Sequence, residues 1–560
     1  MTSFYFAFVG VLLLASSAYG ETNVSQIHLS LSGDDSVMGL EYVSQDNATS
    51  FVQYKTLSDL ISKSQAKSMV TYRENIGYLH RAVLDRLTPS GNYHYRIGDG
   101  GDSWSEWYPF KSPPYTRDNF RRVGDDTDST EGEGVGCVFA DLGLSNGLST
   151  ERIKAEGARG SYDYMVHVGD IAYDLFSEES RVGNDYMELM SSATARYPIN
   201  VAEGNHEEGD NFTEYNLRFK ATEDLAGRVS GSHSNHFYSY DVGLIHYVVV
   251  STEVYSYPAS AAAGPSPFTA REQLKWLEED LQRVNADGQR EKTPWVVLLG
   301  HRPWYTQLEG WAQIDDLACE YGVDLYITGH VHNYQRWAPM RVAAVGKRVP
   351  ATEDHDMPGL MTNPVPAAVD TDCLSEDKHT YHNPLYMPVI VAGSTGCHSP
   401  APRSACAAMY AGSKVALKDS LIDCTAAYGF GHLQAVNSTH LYWELVQSHR
   451  APSADVSVIS EYLNKTGRAD ILDAYAEVLE AQGVGADDFM AEVATEGERW
   501  VKSELRRDAA VDAAAQAEGE EEETELGGAK ESFSARFSGG RIVRDHMWIV
   551  QESHGGRDHC

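Results

Sequence analysis

The sequence predicts an α/β layered domain preceded by a smaller all-β domain, and three observations carry that prediction. From Val135 onward, short apolar runs (VGCVFADLG, DYMVHVGD, YPINVAEG, LIHYVVVS, TPWVVLLG, VDLYITG) alternate with helical segments, as in sheets whose strands are covered on both faces. Before that, from residue 26 to about 113, QIHLSLSG, GLEYVS, SFVQYKT, YLHRAVLDRL, YHYRIGD and SEWYPFKS are short alternating or aromatic runs broken by Gly, Pro, Ser and Asp, the spacing of a small antiparallel sandwich. Finally, several of the later strands run directly into a polar stretch, where open α/β sheets place their ligands.

At 560 residues the chain is too long for a single ordinary core. Its 45 basic and 81 acidic residues give a net charge of −36, which repels nucleic acid and anionic membranes. The first twenty residues carry the apolar run FYFAFVGVLLLA followed by Ala18-Tyr19-Gly20, read as a secretory signal, 1–20, cleaved before Glu21. An uncleaved anchor is the alternative, but the apolar run is short for a span. The mature chain is therefore expected outside the cytosol, either extracellular or in a vacuolar or lysosomal lumen. Sequons at Asn23, Asn47, Asn211, Asn437 and Asn464 suit a glycosylated exported chain. The seven cysteines, Cys137, Cys319, Cys373, Cys397, Cys406, Cys424 and Cys560, match no zinc module. Cys397 and Cys406 are one close candidate pair, and the odd number leaves at least one thiol over.

The chain divides into a sandwich over 24–113, a charged linker over 114–133, an α/β domain over 134–451, an insertion over 452–538 and a returning strand over 539–556. In the α/β part, Leu274, Leu277 and Leu281 recur at helical spacing in TAREQLKWLEEDLQRVN. The insertion combines helix-forming stretches with an acidic low-complexity tract around Glu520, read as a solvated excursion with a disordered part. RIVRDHMWIVQES then reads as a strand belonging to the α/β domain. The loops 259–268 and 341–382 are expected to be surface excursions that set specificity.

The polar groups at the strand ends are Asp141, Asp170, Tyr173, Asn205, His301, His330 and His332. A single Asp after a strand is usually a turn residue, and a lone His is usually structural. Asp170 and Tyr173, three apart, can reach one ion, and His330-x-His332 face one side of an extended segment. Two cations about 3.5–4 Å apart need a bridging anion, a role open to Asp170. Tyrosine, with a pKa near 10, ligates as phenolate only to a strongly Lewis-acidic ion, which points to Fe(III). Asn205, His301 and His330 suit a divalent ion such as Zn, Fe(II) or Mn.

With ADLG, GDIAY, GNHE, LLGH and GHVH in this order, the chain resembles the purple acid phosphatases of the metallophosphoesterase superfamily, whose blocks read GDxG, GDxxY, GNH[DE], VxxH and GHxH. The resemblance spans nearly the whole mature chain except the acidic insertion. It implies a fibronectin type III-like N-terminal domain and a layered β-sandwich flanked by helices. It also implies that Asp141, Asp170, Tyr173 and His332 hold Fe(III), while Asp170, Asn205, His301 and His330 hold the divalent ion. Ala140 and Leu298 are conservative departures, and Gln335 stands where the family has Glu. PWYTQLEGWAQIDDL lacks the His pair that many plant members carry, leaving Arg302 and Tyr305 as substitutes on that side.

The expected function is hydrolysis of small phosphate monoesters by a metal-bound hydroxide attacking in line with the leaving alcohol. His206 is placed to contact phosphate or protonate the leaving oxygen, and Glu207 either orients it or caps the following turn. A homodimer is left open. A phosphodiesterase or nucleotide pyrophosphatase of the same superfamily is one alternative, disfavoured by Tyr173; an exported scaffold with a vestigial metal site is another.

Overall fold

The structure is a computed structural model that describes residues 24–46, 51–56, 64–118, 131–145, 147–256, 268–304, 311–342, 366–396, 420–425, 427–448, 536–538 and 541–554. Its N-terminal part is two four-stranded antiparallel sheets face to face. One runs in the order Val24–Leu31, Met38–Ser44, Gly77–Leu84, Met69–Arg73; the other Ser64–Lys67, Phe51–Thr56, Asn92–Gly98, Tyr108–Lys111. Alternate residues point inward, so Leu29, Leu31, Leu40, Tyr42, Val52, Tyr54, Tyr95 and Ile97 form the core. Two of these strands, Ser64–Lys67 and Met69–Arg73, were not legible in the sequence. Both are sheet edges, and Met69 and Tyr72 stay exposed, so no buried face imposes a period of two on SQAKSMVTYR. The expected linker is likewise partly ordered, because Thr116–Asp118 pairs with Glu131–Glu133.

The α/β domain stacks a seven-stranded sheet on an eight-stranded one. In the eight-stranded sheet, Val135–Phe139, Tyr164–Val168 and Ile199–Ala202 run parallel; in the seven-stranded sheet, Ile245–Val249, Trp295–Leu299, Leu325–Thr328 and Val389–Ala392 do so. These strands are buried at every position, and mostly apolar, because both faces are covered. Val135, Cys137 and Phe139 pack under the helix Arg181–Thr194, whereas Val138, Val166, Val297, Leu299 and Ile327 fill the layer between the sheets. On the far side, Val248, Val296 and Leu298 meet the helices Ala270–Val284 and Trp311–Glu320. Thr269 and Glu272 close a reciprocal cap at the start of the first of these. Its buried stripe runs through Trp276, Leu277, Leu281 and Val284, with Leu274 at the flank.

The final strand, Arg541–Val550, does return to this domain, lying between His440–Gln447 and Thr380–His382. Arg536–Ser538, at the expected end of the insertion, pairs with its first residues; the rest of the insertion lies outside the described residues. The segment 341–382 is less of an excursion than expected. Met340–Val342 pairs with Pro366–Val369, and Thr380–His382 joins the eight-stranded sheet with Tyr381 fully buried. Such short strands give no periodic signal. Among the described residues no helix is long and apolar enough to cross a membrane, and the expected signal segment lies outside them.

Candidate metal centre

Each of the seven side chains follows the carboxyl end of a parallel strand or its turn: Asp141 after Phe139, Asp170 and Tyr173 after Val168, Asn205 after Ala202, His301 after Leu299, and His330 and His332 after Thr328. Because the two sheets face each other, these ends converge. The turns are tight. Asp141, Asp170, Tyr173 and His330 adopt left-handed backbone, with φ of 59°, 54°, 53° and 65°, a conformation disfavoured for side-chain-bearing residues and concentrated at functional sites. The glycines of the motifs make room for this crowding. A Cβ on Gly329 would come within 2.5 Å of Asp141 Oδ2, and one on Gly204 would overlap Asp170 Oδ1.

Two groups of potential ligand atoms result, each lying mutually within 4.8 Å: Asp170, His301 and His330, and Asp141, Asp170 and His332. Asp170 belongs to both, the position of a bridging carboxylate. In the second group Tyr173 Oη lies 3.0 Å from Asp141 Oδ1 and 3.0 Å from His332 Nε2. Beside the first, Asn205 Oδ1 is buried with no hydrogen-bond partner among the described residues, which is costly unless a cation or water satisfies it. His301 Nδ1 lies 2.9 Å from the Val168 carbonyl. Donation there leaves Nε2 as the lone-pair nitrogen facing Asp170 at 3.1 Å. Nitrogen, amide oxygen, carboxylate and phenol thus fit a pair of cations.

The electrostatics agree. Burial pushes the Asp141 carboxyl up to about 6, against the pull of His301. Burial also raises Asp170, but the adjoining His301 more than reverses this and holds it well below the usual carboxylate range. His301, lowered by burial, is carried up to about 10 by Asp170. Two carboxylates buried this close need positive charge between them.

His206 borders the site. Its ring centroid lies 4.4 Å from that of Tyr173 and its Nε2 is 4.0 Å from Asp170 Oδ2. The group that orients it is Asp174, whose Oδ1 is 2.5 Å from His206 Nδ1; burial lowers the imidazole pKa, and Asp174 and Asp170 raise it above its ordinary value. This corrects the expectation for Glu207. That carboxylate is buried and accepts the backbone N–H groups of Gly204, Ile171 and Asp170 at 2.7, 2.8 and 3.0 Å. It braces two ligand-bearing turns against each other and does not serve the His206 ring. Asp174 follows Tyr173 in the chain, but nothing in the linear motif says that it turns toward His206.

Arg302 is held by the buried Glu253, which accepts from its Nε at 2.8 and 3.0 Å and lies 2.8 Å from Nη2. Its Nη1 is 3.0 Å from His330 Nε2. Glu253 escaped sequence reading because it opens a single helical turn, Glu253–Ser256, far from any motif. Gln335 is buried and bonded to Asn333 and Trp337. Tyr305 and the Cys397 and Cys406 pair lie outside the described residues, as do Asn23, Asn47 and Asn464. Asn211 and Asn437 are exposed. Cys319 and Cys424 are each disulfide-bonded, while Cys137 and Cys373 are free and buried.

Comparison with known proteins gives three family matches: "Purple acid Phosphatase, N-terminal domain" over residues 24–112, "Calcineurin-like phosphoesterase" over 138–334, and "Iron/zinc purple acid phosphatase-like protein C" over 387–457. Among curated relatives, acid phosphatase type 7 of Danio rerio is 27% identical over 76% of this chain and 88% of its own length. The Homo sapiens protein of the same name is 29% identical over 66% and 74%. Purple acid phosphatase 21 of Arabidopsis thaliana is 28% identical over 56% and 67%. The fold matches the purple acid phosphatase PPD1 from yellow lupin seeds, with a TM-score of 0.51 and 17% identity over 77% of this chain and 73% of that one.

Proposed function

We propose, on the premise that this chain belongs to the purple acid phosphatase family, that it is an exported acid phosphatase hydrolysing small phosphate monoesters at a pair of metal ions, one trivalent and one divalent. The observation that carries the reading is the double membership of Asp170, which stands in both ligand groups. The placement of Tyr173 beside Asp141 and His332 supports Fe(III) in that half. Asn205, His301 and His330 would hold a divalent ion, Zn, Fe or Mn. When bound, the two ions supply Lewis acidity and lower the pKa of a water enough for it to act as nucleophile in mild acid.

The protein's own residues do the rest. Asp170 and the imidazoles hold the ligand geometry without rearrangement, because Glu207 and the crowding at Gly204 and Gly329 leave the turns no freedom. His206 Nε2 faces the site while Asp174 holds Nδ1, so a proton can pass from Nε2 to a departing alkoxide. The exposed Asn211 and Asn437 and the disulfide-bonded Cys319 and Cys424 support passage through an oxidising secretory route.

The test is a metal analysis of the purified full chain combined with turnover of p-nitrophenyl phosphate and its bis ester. The expected result is two metals per chain, with the monoester strongly preferred near pH 5. Faster hydrolysis of the diester would assign the chain to phosphodiester chemistry, and full metal with no turnover from pH 4 to 8 would reject the enzyme reading.

A further inference from the structure

We propose that Arg302, clamped by Glu253, is the phosphate-gripping residue of this chain, binding a non-bridging oxygen of the substrate's terminal phosphoryl group on the His330 side of the site. The inference rests on the phosphatase reading above and names the residue that recognises the substrate there. It starts from an accounting of donors. Arg302 has five N–H bonds, and Glu253 takes its Nε and one of its Nη2 hydrogens through contacts of 2.8 to 3.0 Å. Nη1 is turned away from that carboxylate and meets His330 Nε2 at 3.0 Å.

That last contact cannot survive in a loaded site. A neutral imidazole has one acceptor nitrogen. If His330 ligates through Nε2, the lone pair that accepts from Arg302 is used by the ion. If it ligates through Nδ1, Nε2 carries the hydrogen and cannot accept. Either way Nη1 loses its one acceptor among the described residues, and the guanidinium stays where it is because Glu253 holds it. Glu253 is fixed in turn: it is 1% exposed, Thr252 Oγ1 donates to its Oε1 at 3.1 Å, and the Arg302 backbone N–H donates to the same hydroxyl at 3.0 Å. The outcome is a preoriented cation with free donors beside a metal ligand, at a side-chain exposure of 16%. A tetrahedral oxyanion is the ligand that matches a planar fork of donors there.

Because the guanidinium cannot lose its proton, phosphate binding through it persists as pH rises, which imidazoles would not provide.

The experiment compares the full-length, metal-loaded protein with Arg302→Met, Arg302→Lys and Glu253→Gln. It measures metal content, inorganic phosphate affinity by calorimetry, and KM and kcat for p-nitrophenyl phosphate. Arg302→Met is expected to keep its metals while weakening inorganic phosphate by about ten- to hundred-fold and raising KM in parallel, the loss typical of one charged hydrogen-bonding group. Arg302→Lys should recover only part of this, and Glu253→Gln, which loosens the positioning of Arg302, should raise KM more than it lowers kcat. Wild-type phosphate affinity in Arg302→Met would overturn the proposal. Loss of metal from that variant would also overturn it, because Arg302 would then brace His330 and not bind phosphate. If Arg302→Met does not fold, wild-type phosphate affinity and KM in Arg302→Lys decide against it. A wild-type protein that binds inorganic phosphate but hydrolyses no monoester would instead count against the phosphatase reading and leave Arg302 as the anion site.

Discussion

Arg336 and Asp545 form a buried fork between the two sheets: Nε donates to Oδ2 at 2.7 Å and Nη2 to Oδ1 at 3.0 Å. Arg336 lies on Tyr334–Trp337 of the seven-stranded sheet and Asp545 on the last strand of the eight-stranded one. Tyr334 Oη also donates to Asp545 at 2.7 Å and receives Trp443 Nε1 at 3.2 Å. Replacing Asp545 with Ala would strand the guanidinium in the core, a loss of about 3–5 kcal/mol. Thermal unfolding should show a midpoint lower by roughly 5 °C. The paired change Arg336→Met with Asp545→Leu should recover most of it; an unchanged midpoint in Asp545→Ala would mean the fork contributes nothing.

Glu207 ties the Asp170 turn to the Asn205 turn through three backbone amides. Glu207→Ala leaves those buried N–H groups unpaired and releases both ligand turns, so metal affinity is expected to fall by about 10–100-fold. Competition with a graded chelator measures it. His206→Ala, by comparison, should keep its metals and lose kcat.

Tyr173 places its hydroxyl 3.0 Å from Asp141 Oδ1. Tyr173→Phe is expected to abolish any visible phenolate-to-iron absorption band of the metal-loaded protein while leaving the Asp170, His301 and His330 half occupied. Visible spectroscopy with metal analysis reads both, and a band of full intensity in the variant would remove Tyr173 from the ligand set.

His246 lies outside the site, between Asp241 and Asp280, with Nδ1 2.5 Å and Nε2 2.9 Å from their carboxylates. Burial lowers its pKa, but Asp280 and Asp241 more than compensate and bring it up to about 9. A raised pKa means the charged ring stabilises the fold fully below its ordinary value of 6.5 and loses that contribution as pH climbs through 9. The shift corresponds to about 3 kcal/mol at acid pH. His246→Gln should therefore lower the unfolding midpoint most at pH 5, with the gap to wild type closing by pH 10. A gap that widens with pH would contradict the assignment.

The parallel strands were legible because residues such as Val135 to Phe139 are buried on both faces and read as unbroken apolar runs. The ligand motifs were legible because a tight turn at a strand end needs Gly next to a polar group, leaving signatures such as Gly169-Asp170 and Gly204-Asn205. The edge strands Ser64–Lys67 and Met69–Arg73 were not, since an edge with exposed side chains is held by backbone hydrogen bonds that any sequence can make.

What the sequence determined by itself was therefore the alternation of covered strands, the order of the polar blocks and the family they resemble. Tertiary structure alone decided that Asp174 holds His206, that Glu207 joins two turns, that Glu253 aims Arg302 and that Asp545 meets Arg336. The physical reason is one of range. Periodicity and turn chemistry are written in neighbouring residues, whereas each of these pairs is chosen by which side chains burial brings face to face, and for Arg336 and Asp545 that choice spans 209 positions of chain.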